Sequence, residues 1–551
     1  MQLVSVDLDS VTSTRMNATN VVCERLSVAS ENADLDKALT LTNYGRFHYK
    51  IIASCAFCLI SAGLQNSLSA YVLPAAHCEL HLQSTQIGFI NAAFLIGGTC
   101  SSFLWGVIAD LTGRKKVLAI TLLLDALVTL LCTLMQDFIG LLLCRFINGF
   151  LIGGPGSLTF TYLAEFHAPH HRSKSIYYSG IFFSIAWLLL PAIARIVLPL
   201  EIEIIFKGFI ICSSWRLFLA LLAIPDLIAG VWILYLPESP KYLATGDPKK
   251  ALIVLKQMFS LNTGKDESEF PVKNLINDVQ IFNATTNGVN CRGKAARLIE
   301  DVYSQISKLH RAPLLFMTII ISGIMFSNMF GYFGLGLWLP ELIARFQEFQ
   351  EVHPNASVTL HRLTNITRVK TNNESCSPEF DNSLFESTTA MGISSIVGNI
   401  LSGWFAGKFE HKVIPLVSMF FGAVSAGSIY WTRSSLQNLI ASCVFQATMT
   451  TANVSIGCLI VELFPTTVNA IAICTAMFAG RIGAIFSNVI FGYLMDLNCE
   501  IAIFVVSGIL FLGTILCLKI PDSGEEGSDK EDETSYNKNN VEVSVISITS
   551  L

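Results

Sequence analysis

Twelve apolar runs, each long enough to cross a bilayer, constrain this chain more than any other feature. They lie at about residues 50–73, 86–109, 117–136, 139–163, 176–198, 215–236, 313–339, 386–407, 413–432, 437–461, 468–494 and 500–520. About 20 apolar residues in a helix cover the roughly 30 Å of hydrocarbon, where a helix satisfies its own backbone without water. The pattern reads as an all-α membrane protein with twelve transmembrane helices in two six-helix bundles. Only 14% of the residues are charged, against about 25% in a soluble domain, which excludes an ordinary soluble enzyme. A net charge of -5 supplies no clustered basic face, so no nucleic-acid partner is read.

Orientation follows from the short loops, because Lys and Arg near span ends stay in the cytosol. Arg114, Lys115 and Lys116 follow the second run, Arg172 and Lys174 the fourth, and Lys408 and Lys412 the eighth, while residues 76–85 carry no Lys or Arg. Both termini are therefore predicted to be cytosolic. On this plan residues 1–45 are a disordered tail without a secretory leader, and 46–236 form the first bundle. Residues 237–312 form a basic cytosolic loop with an amphipathic helix at Lys249–Phe259, its lysines free to face headgroups or solvent. Residues 313–521 form the second bundle and 522–551 an acidic disordered tail. The sequons at Asn355, Asn365 and Asn373 fall in loop 341–384, predicted to be luminal or extracellular, and mark glycosylation there. Most of the 15 cysteines lie inside apolar runs as packing residues, and Cys78, Cys376 and Cys499 fall where a disulfide is allowed. No metal-ligand spacing, nucleotide loop or catalytic constellation appears, so neither a cofactor nor an enzyme activity is read.

The halves repeat at one offset. Gly106 and Gly403, Lys115 and Lys412, and Glu165 and Glu462 are each 297 residues apart, at corresponding places in a six-plus-six plan. Such duplication suits a two-bundle transporter whose site lies near the midplane.

The stretch Gly106-Val-Ile-Ala-Asp110-Leu-Thr-Gly113-Arg114-Lys115 resembles the loop signature of the major facilitator superfamily, and Pro237-Glu238-Ser239-Pro240-Lys241 resembles the motif closing the first half in its sugar and organic-ion branches. Gly45-Arg46-Phe47, Cys144-Arg145-Phe146, Ser214-Trp215-Arg216 and Val461-Glu462-Leu463-Phe464-Pro465 look like the synaptic vesicle glycoprotein 2 family. The resemblance implies a plasma-membrane or synaptic-type vesicle protein. It also implies a cytosolic gating latch of Gly106, Asp110, Gly113, Arg114, Glu165 and Glu462, in which the glycines allow close approach to a neighbouring helix. Leu111 stands where the family pattern has Arg, which bears on one arm of that latch.

Ionisable groups within spans are costly and functional by default. Asp125, Arg145, Asp226 and Arg481 are the clearest. For the arginines, a counter-charge to substrate and a purely structural bond both remain open, and the acids, on spans that are peripheral in this fold, read as structural. Residues 50–74 contain no Asp or Glu, although relatives carry first-span acids there, which removes the usual proton-coupling group from this helix. The cavity is then expected to lean positive and to favour neutral or anionic solutes, with Gln65, Asn66, Arg145, Tyr178, Tyr332 and Arg481 lining it. Tyr332 and Trp338 offer rings for a planar solute or for packing, in a glycine-rich run that permits kinks. The final Leu551 fits a PDZ-type groove. Two functions follow: a secondary transporter of a small organic solute, or a transporter-fold glycoprotein that binds or traffics without flux.

Overall fold

The computed structural model describes residues 32–200, 204–206, 210–275, 307, 309, 311–312, 314–352, 382–405, 410, 412–464, 468–495 and 499–520. Twelve long helices fall on the twelve apolar runs. They are α1 (Arg46–Ser67, carried on by Ser69–Leu80), α2 (Ser84–Thr112), α3 (Arg114–Cys132), α4 (Phe138–Glu165), α5 (Pro169–Val197) and α6 (Ser214–Tyr235). After the central segment come α7 (Leu314–Val352), α8 (Asn382–Phe405), α9 (Val413–Ser428), α10 (Ser435–Leu463), α11 (Asn469–Leu494) and α12 (Cys499–Leu518). Among the described residues nine helices are long and apolar enough to cross a membrane unaided, and the bent α2 makes a tenth. The exceptions are polar for visible reasons. Within α3 stand Arg114, Lys115, Lys116 and Asp125, and α8 carries Ser383, Ser387, Thr388, Thr389, Ser394, Ser395 and Asn399.

The chain divides into two compact units, Met1–Asp301 with Asn373–Gly392, and Val302–Asn372 with Ile393–Leu551. In the first unit α1 packs on α4, α5 and α6, and α3 packs on α4 and α6. In the second, α7 packs on α10, α11 and α12, and α9 packs on α10 and α12. These five pairings correspond one for one, so the faint sequence repeat is a repeat of helix packing.

The helices are amphipathic in the membrane sense, with apolar side chains outward and polar ones inward. On α3, Ile120, Leu124, Leu127 and Leu131 are exposed at helical spacing, whereas Thr121, Asp125, Thr129 and Cys132 on the opposite face are buried. Close approach of α2 and α4 rests on glycine. A Cβ on Gly149 would lie 1.9 Å from the Phe94 carbonyl oxygen, and one on Gly97 would lie 2.1 Å from that of Phe146. This contact sets the height at which Arg145 meets α2.

Two expectations change, and a third, the amphipathic helix, is met and extended. The segment 1–45 is not a disordered tail throughout: Asn32–Ala33 pairs in parallel with Asn274–Leu275, and a short helix, Leu35–Leu41, buries Ala38 and Leu39. The amide of Asn262 ties this segment down. Its Nδ2 donates to the carbonyls of Thr42 and Asn43, and its Oδ1 accepts from the Phe47 N–H. The amphipathic helix runs Pro248–Thr263 and turns Ala251, Val254, Leu255, Met258 and Phe259 inward onto protein, leaving Lys249 and Lys250 exposed. Finally, α7 continues through Gly331, Gly334, Gly336 and Pro340 to Val352, into the segment read as loop, with Leu510 against Gly331 and Ser487 against Gly334.

Opposite the latch end of α3, a clasp joins three elements of the first unit. The Glu79 carboxylate accepts from Ser213 Oγ (2.7 Å), Trp215 Nε1 (2.6 Å) and Arg216 Nη2 (2.7 Å), and Arg216 Nη1 donates to the carbonyls of Thr133 (2.5 Å) and Met135 (2.7 Å). Ser214-Trp215-Arg216, singled out by resemblance, is thus a structural joint. Desolvation raises the Glu79 carboxyl, but the bonds from Ser213, Arg216 and Trp215 outweigh it and hold it below the usual carboxylate range. The clasp is fully formed above the unfolded value of about 4.3 and is lost as pH falls through the depressed folded value. Glu79→Gln is expected to cost about 1–3 kcal/mol at neutral pH and to flatten the acid decline of the thermal midpoint in detergent. An acid limb identical to wild type would reject the clasp.

Candidate functional site

Besides the Glu79–Arg216 clasp, two charged clusters occur among the described residues of the first unit, one at the end of α2 and one inside the bundle. At the first, Gly113 caps α2 and opens α3 with φ of 107°, a left-handed conformation that only glycine adopts without strain. A Cβ there would also lie 2.3 Å from Glu238 Oε2. The turn aims Arg114 at two carboxylates: Nη2 lies 2.7 Å from Asp110 Oδ1, and Nε lies 3.1 Å from Glu165 Oε2. Glu165 ends α4 and also accepts from Ser239 Oγ. Glu238 Oε1 accepts from the Lys115 N–H (3.0 Å), Tyr162 donates to the Pro237 carbonyl (2.6 Å) and Tyr242 donates to the Leu111 carbonyl (3.1 Å). The second sequence motif, Pro237 to Lys241, is therefore the strap against which the first one folds. Gly106 departs from its expected role, since a Cβ there would meet nothing within 4 Å among the described residues. The side chain of Glu462, its counterpart to Glu165 in the repeat, lies outside the described residues.

The second cluster is built by helical spacing. Ser61 and Gln65 share one face of α1, Asp125, Thr129 and Cys132 one face of α3, and Arg145 and Asn148 one face of α4. On α6, Asp226 follows Pro225, a proline within the helix. All of these side chains are buried. Gln65 Nε2 donates to Asp226 Oδ2 (2.7 Å) and to Thr129 Oγ1 (3.0 Å), and Asn148 Nδ2 donates to Asp125 Oδ1 (2.7 Å) and Thr129 Oγ1 (2.9 Å). Ser61 Oγ donates to Asp226 Oδ1. Arg145 donates from Nη1 to Gln65 Oε1 (3.4 Å) and from Nη2 to the Gln65 carbonyl and Ser69 Oγ (both 3.1 Å), with its guanidinium 4.3 Å from the Phe94 ring centre. None of the salt bridges among the described residues involves Arg145.

Of the residues chosen for a solute cavity, the structure brings together Gln65 and Arg145. Asn66 turns back to the Ala62 carbonyl (2.7 Å). Tyr332 and Arg481 belong to the second unit. There Tyr332 is buried beside Phe333, and Trp338 stacks on Phe491. The Tyr178 side chain, Asn355, Asn365, Asn373, Cys376 and Leu551 lie outside the described residues. One expectation is corrected here. Arg145 does not make this core lean positive, because Asp226 on the Gln65 amide and Asp125 on the Asn148 amide set two carboxyls against one guanidinium. The residues missed were Ser61, Thr129 and Asn148; their only signal was polar spacing of three or four within apolar helices.

The sequence model of the Major Facilitator Superfamily matches residues 55–435. Human synaptic vesicle glycoprotein 2B is 22% identical over 92% of this chain and 88% of its own length. Rat synaptic vesicle glycoprotein 2C is 23% identical over 87% and 79%. Among solved structures, the partially occluded, inward-open xylose transporter XylE from E. coli superposes with a TM-score of 0.59 at 16% identity, covering 87% of this chain and 98% of its own. A D-xylose–proton symporter gives 0.60 at 15% identity over 87% and 99%.

Gly113→Ala is expected to lower stability by about 1–3 kcal/mol through strain alone. Arg114→Ala, which leaves Glu165 buried without its cation, should cost about 3–5 kcal/mol. Thermal unfolding of purified protein reads both, and a wild-type midpoint for either variant would show that the turn is not under the tension described. The chain is a multi-pass membrane protein of a secondary-transporter family, not an enzyme. It belongs to the major facilitator superfamily, and within it is similar to the synaptic vesicle glycoprotein 2 proteins.

Proposed function

We propose that this protein carries a small, uncharged, polar organic solute across the membrane by alternating access, without an acid on its first helix for proton coupling. The observation that supports transport over a static role is Arg114 bridging Asp110 and Glu165. A joint of this kind, tying α2, α3, α4 and the strap after α6 at one end of the bundle, stabilises one of two states and is released in the other. A protein that only binds or traffics has no use for it.

Neutral solutes are favoured over anions because the buried core of the first unit balances Arg145 with acids. Sugars fit this class, and the xylose transporters named above share the fold. Gln65, Asn66, Tyr178, Tyr332 and Arg481 are the proposed solute contacts, with Arg145 acting through Gln65. Placement in a vesicle membrane, glycans at Asn355, Asn365 and Asn373, and a PDZ-type partner at Leu551 belong to the same reading. The alternative, a transporter-fold glycoprotein without flux, draws on the missing acid in residues 50–74.

Thermal stabilisation across a panel of sugars, polyols and organic anions, followed by radiolabelled uptake into proteoliposomes, separates the two. A neutral solute is expected to raise the midpoint and to be taken up, with uptake reduced at least tenfold by Arg114→Ala. Binding without flux, or neither, would establish the non-transporting alternative.

A further inference from the structure

We propose that Asp125 on α3 and Asp226 on α6 form a proton-binding pair, which holds in the interior of the first unit the proton that the first helix has no acid to hold. Three observations carry this. Both carboxyls are completely buried, with relative exposure of 0%. Their hydrogen-bond accounting is one donor short. Asp226 Oδ1 accepts from Ser61, Asp226 Oδ2 from Gln65 and Asp125 Oδ1 from Asn148, while Asp125 Oδ2 has no donor among the described residues. The two carboxyls are near enough to interact with one another. Two carboxyls side by side in a dry interior cannot both ionise, and a proton held between them supplies the missing donor.

Charge leads to the same count. The cation acting on Asp125 is Arg145. Two carboxylates and one guanidinium leave a buried net charge of −1, which one proton cancels. The other titratable groups facing the pair are thiols: Cys58 on α1 against Asp226 and Cys132 on α3 against Asp125, with Cys144 on α4 beyond Cys132 and Arg145. From α2 the neighbour of Arg145 is the Phe94 ring, which carries no charge.

Gln65 explains how the pair is read by the rest of the bundle. Its amide spends both hydrogens on Thr129 and Asp226 and accepts from Arg145 on its oxygen. Glutamate at this position would bring a third carboxylate against Asp226; glutamine bridges the acid to the cation instead. When the proton leaves to water, the acid pair becomes two carboxylates. Their pull on Arg145 then competes with its bonds to the Gln65 carbonyl and Ser69, the contacts that pin α4 to α1. The proton is thus linked to helix position without any covalent step.

The purpose of the proton rests on the transporter reading; its presence does not. Infrared difference spectra of the purified full-length protein in lipid, recorded between neutral and alkaline pH and repeated in deuterium oxide, read the C=O stretch of buried protonated carboxyls. One deuterium-sensitive band is expected. It should be lost in Asp125→Asn and equally in Asp226→Asn, because removing either acid frees the other to ionise against Arg145, and it should persist in the exposed control Asp110→Asn. If the asparagine variants do not fold, Asp226→Glu should shift the same band. A wild-type protein with no such band, or a band unmoved by substitution at both positions, overturns the pair. Flux without the band would overturn the pair alone, and the band without flux would overturn the transport reading alone.

Discussion

Everything in this fold answers to the cost of placing a charge where lipid surrounds the protein. Arg145 stands within a helix that crosses the hydrocarbon, is nearly completely buried, and touches no carboxylate directly. A cation so placed is tolerable only if its donors are used and its charge is balanced nearby. The sequence meets the first need with Gln65 and Ser69 on α1, and the second with Asp226, one amide away through Gln65, and with Asp125, on which Arg145 also acts. The glycine contact of α2 with α4 contributes by pressing Phe94 onto the guanidinium. The polar residues that α1, α3, α4 and α6 turn inward here are therefore explained by one another, and the apolar face of α3 by the membrane.

The two charged clusters are joined by common helices. Arg114 begins α3, and Asp125 lies three turns along it. Arg145 lies near the start of α4, and Glu165 ends it about 30 Å away, at 1.5 Å per residue. Asp226 is within α6, and the strap residues Pro237 to Ser239 follow its end. A rigid helix moved at one cluster is moved at the other, which gives a physical connection between the latch and the buried acids. Spatial continuity of this kind is a necessary condition for coupling; the rearrangement of one cluster with the state of the other is what would make it sufficient.

Much of this was legible beforehand, and the limits follow from what spacing encodes. Run length revealed all twelve helices, and a shared offset revealed the repeat that became matched packing pairs. The Asp110–Arg114 ion pair was legible because Asp110, Gly113 and Arg114 are close in sequence, whereas Glu165, 51 residues on, entered the latch only through resemblance. The buried network was not, since Gln65, Asp125, Arg145 and Asp226 come from four helices. Periodicity shows which residues share a face, and it does not show which faces meet. Asp125 and Asp226 looked separate for that reason, and structural because the third and sixth spans are peripheral in the fold the chain resembles, so Arg145 looked like an unbalanced charge. The N-terminal segment was misread because Ala38 and Leu39 are too few to mark a core by composition. Asn262, more than 200 residues on, supplies the hydrogen bonds that order its junction with α1.

The absence of an acid from the first helix has a different meaning once the neighbours of Gln65 are known. Taken alone, it marks a lost function. In the folded unit an acid at this position would be the misfit, because Asp226 of α6 already meets it, Asp125 of α3 lies against Asp226, and Arg145 is the arginine that faces them. A neutral amide is the side chain that satisfies both signs at once, donating to Asp226 and accepting from the cation. The first helix has exchanged a charged role for a connecting one, and the electrostatic load has moved to helices whose outer faces lie against lipid. Substituting Gln65 therefore tests the geometry of the whole core rather than the chemistry of one residue, and its consequences must be read at Asp226 and Arg145 together.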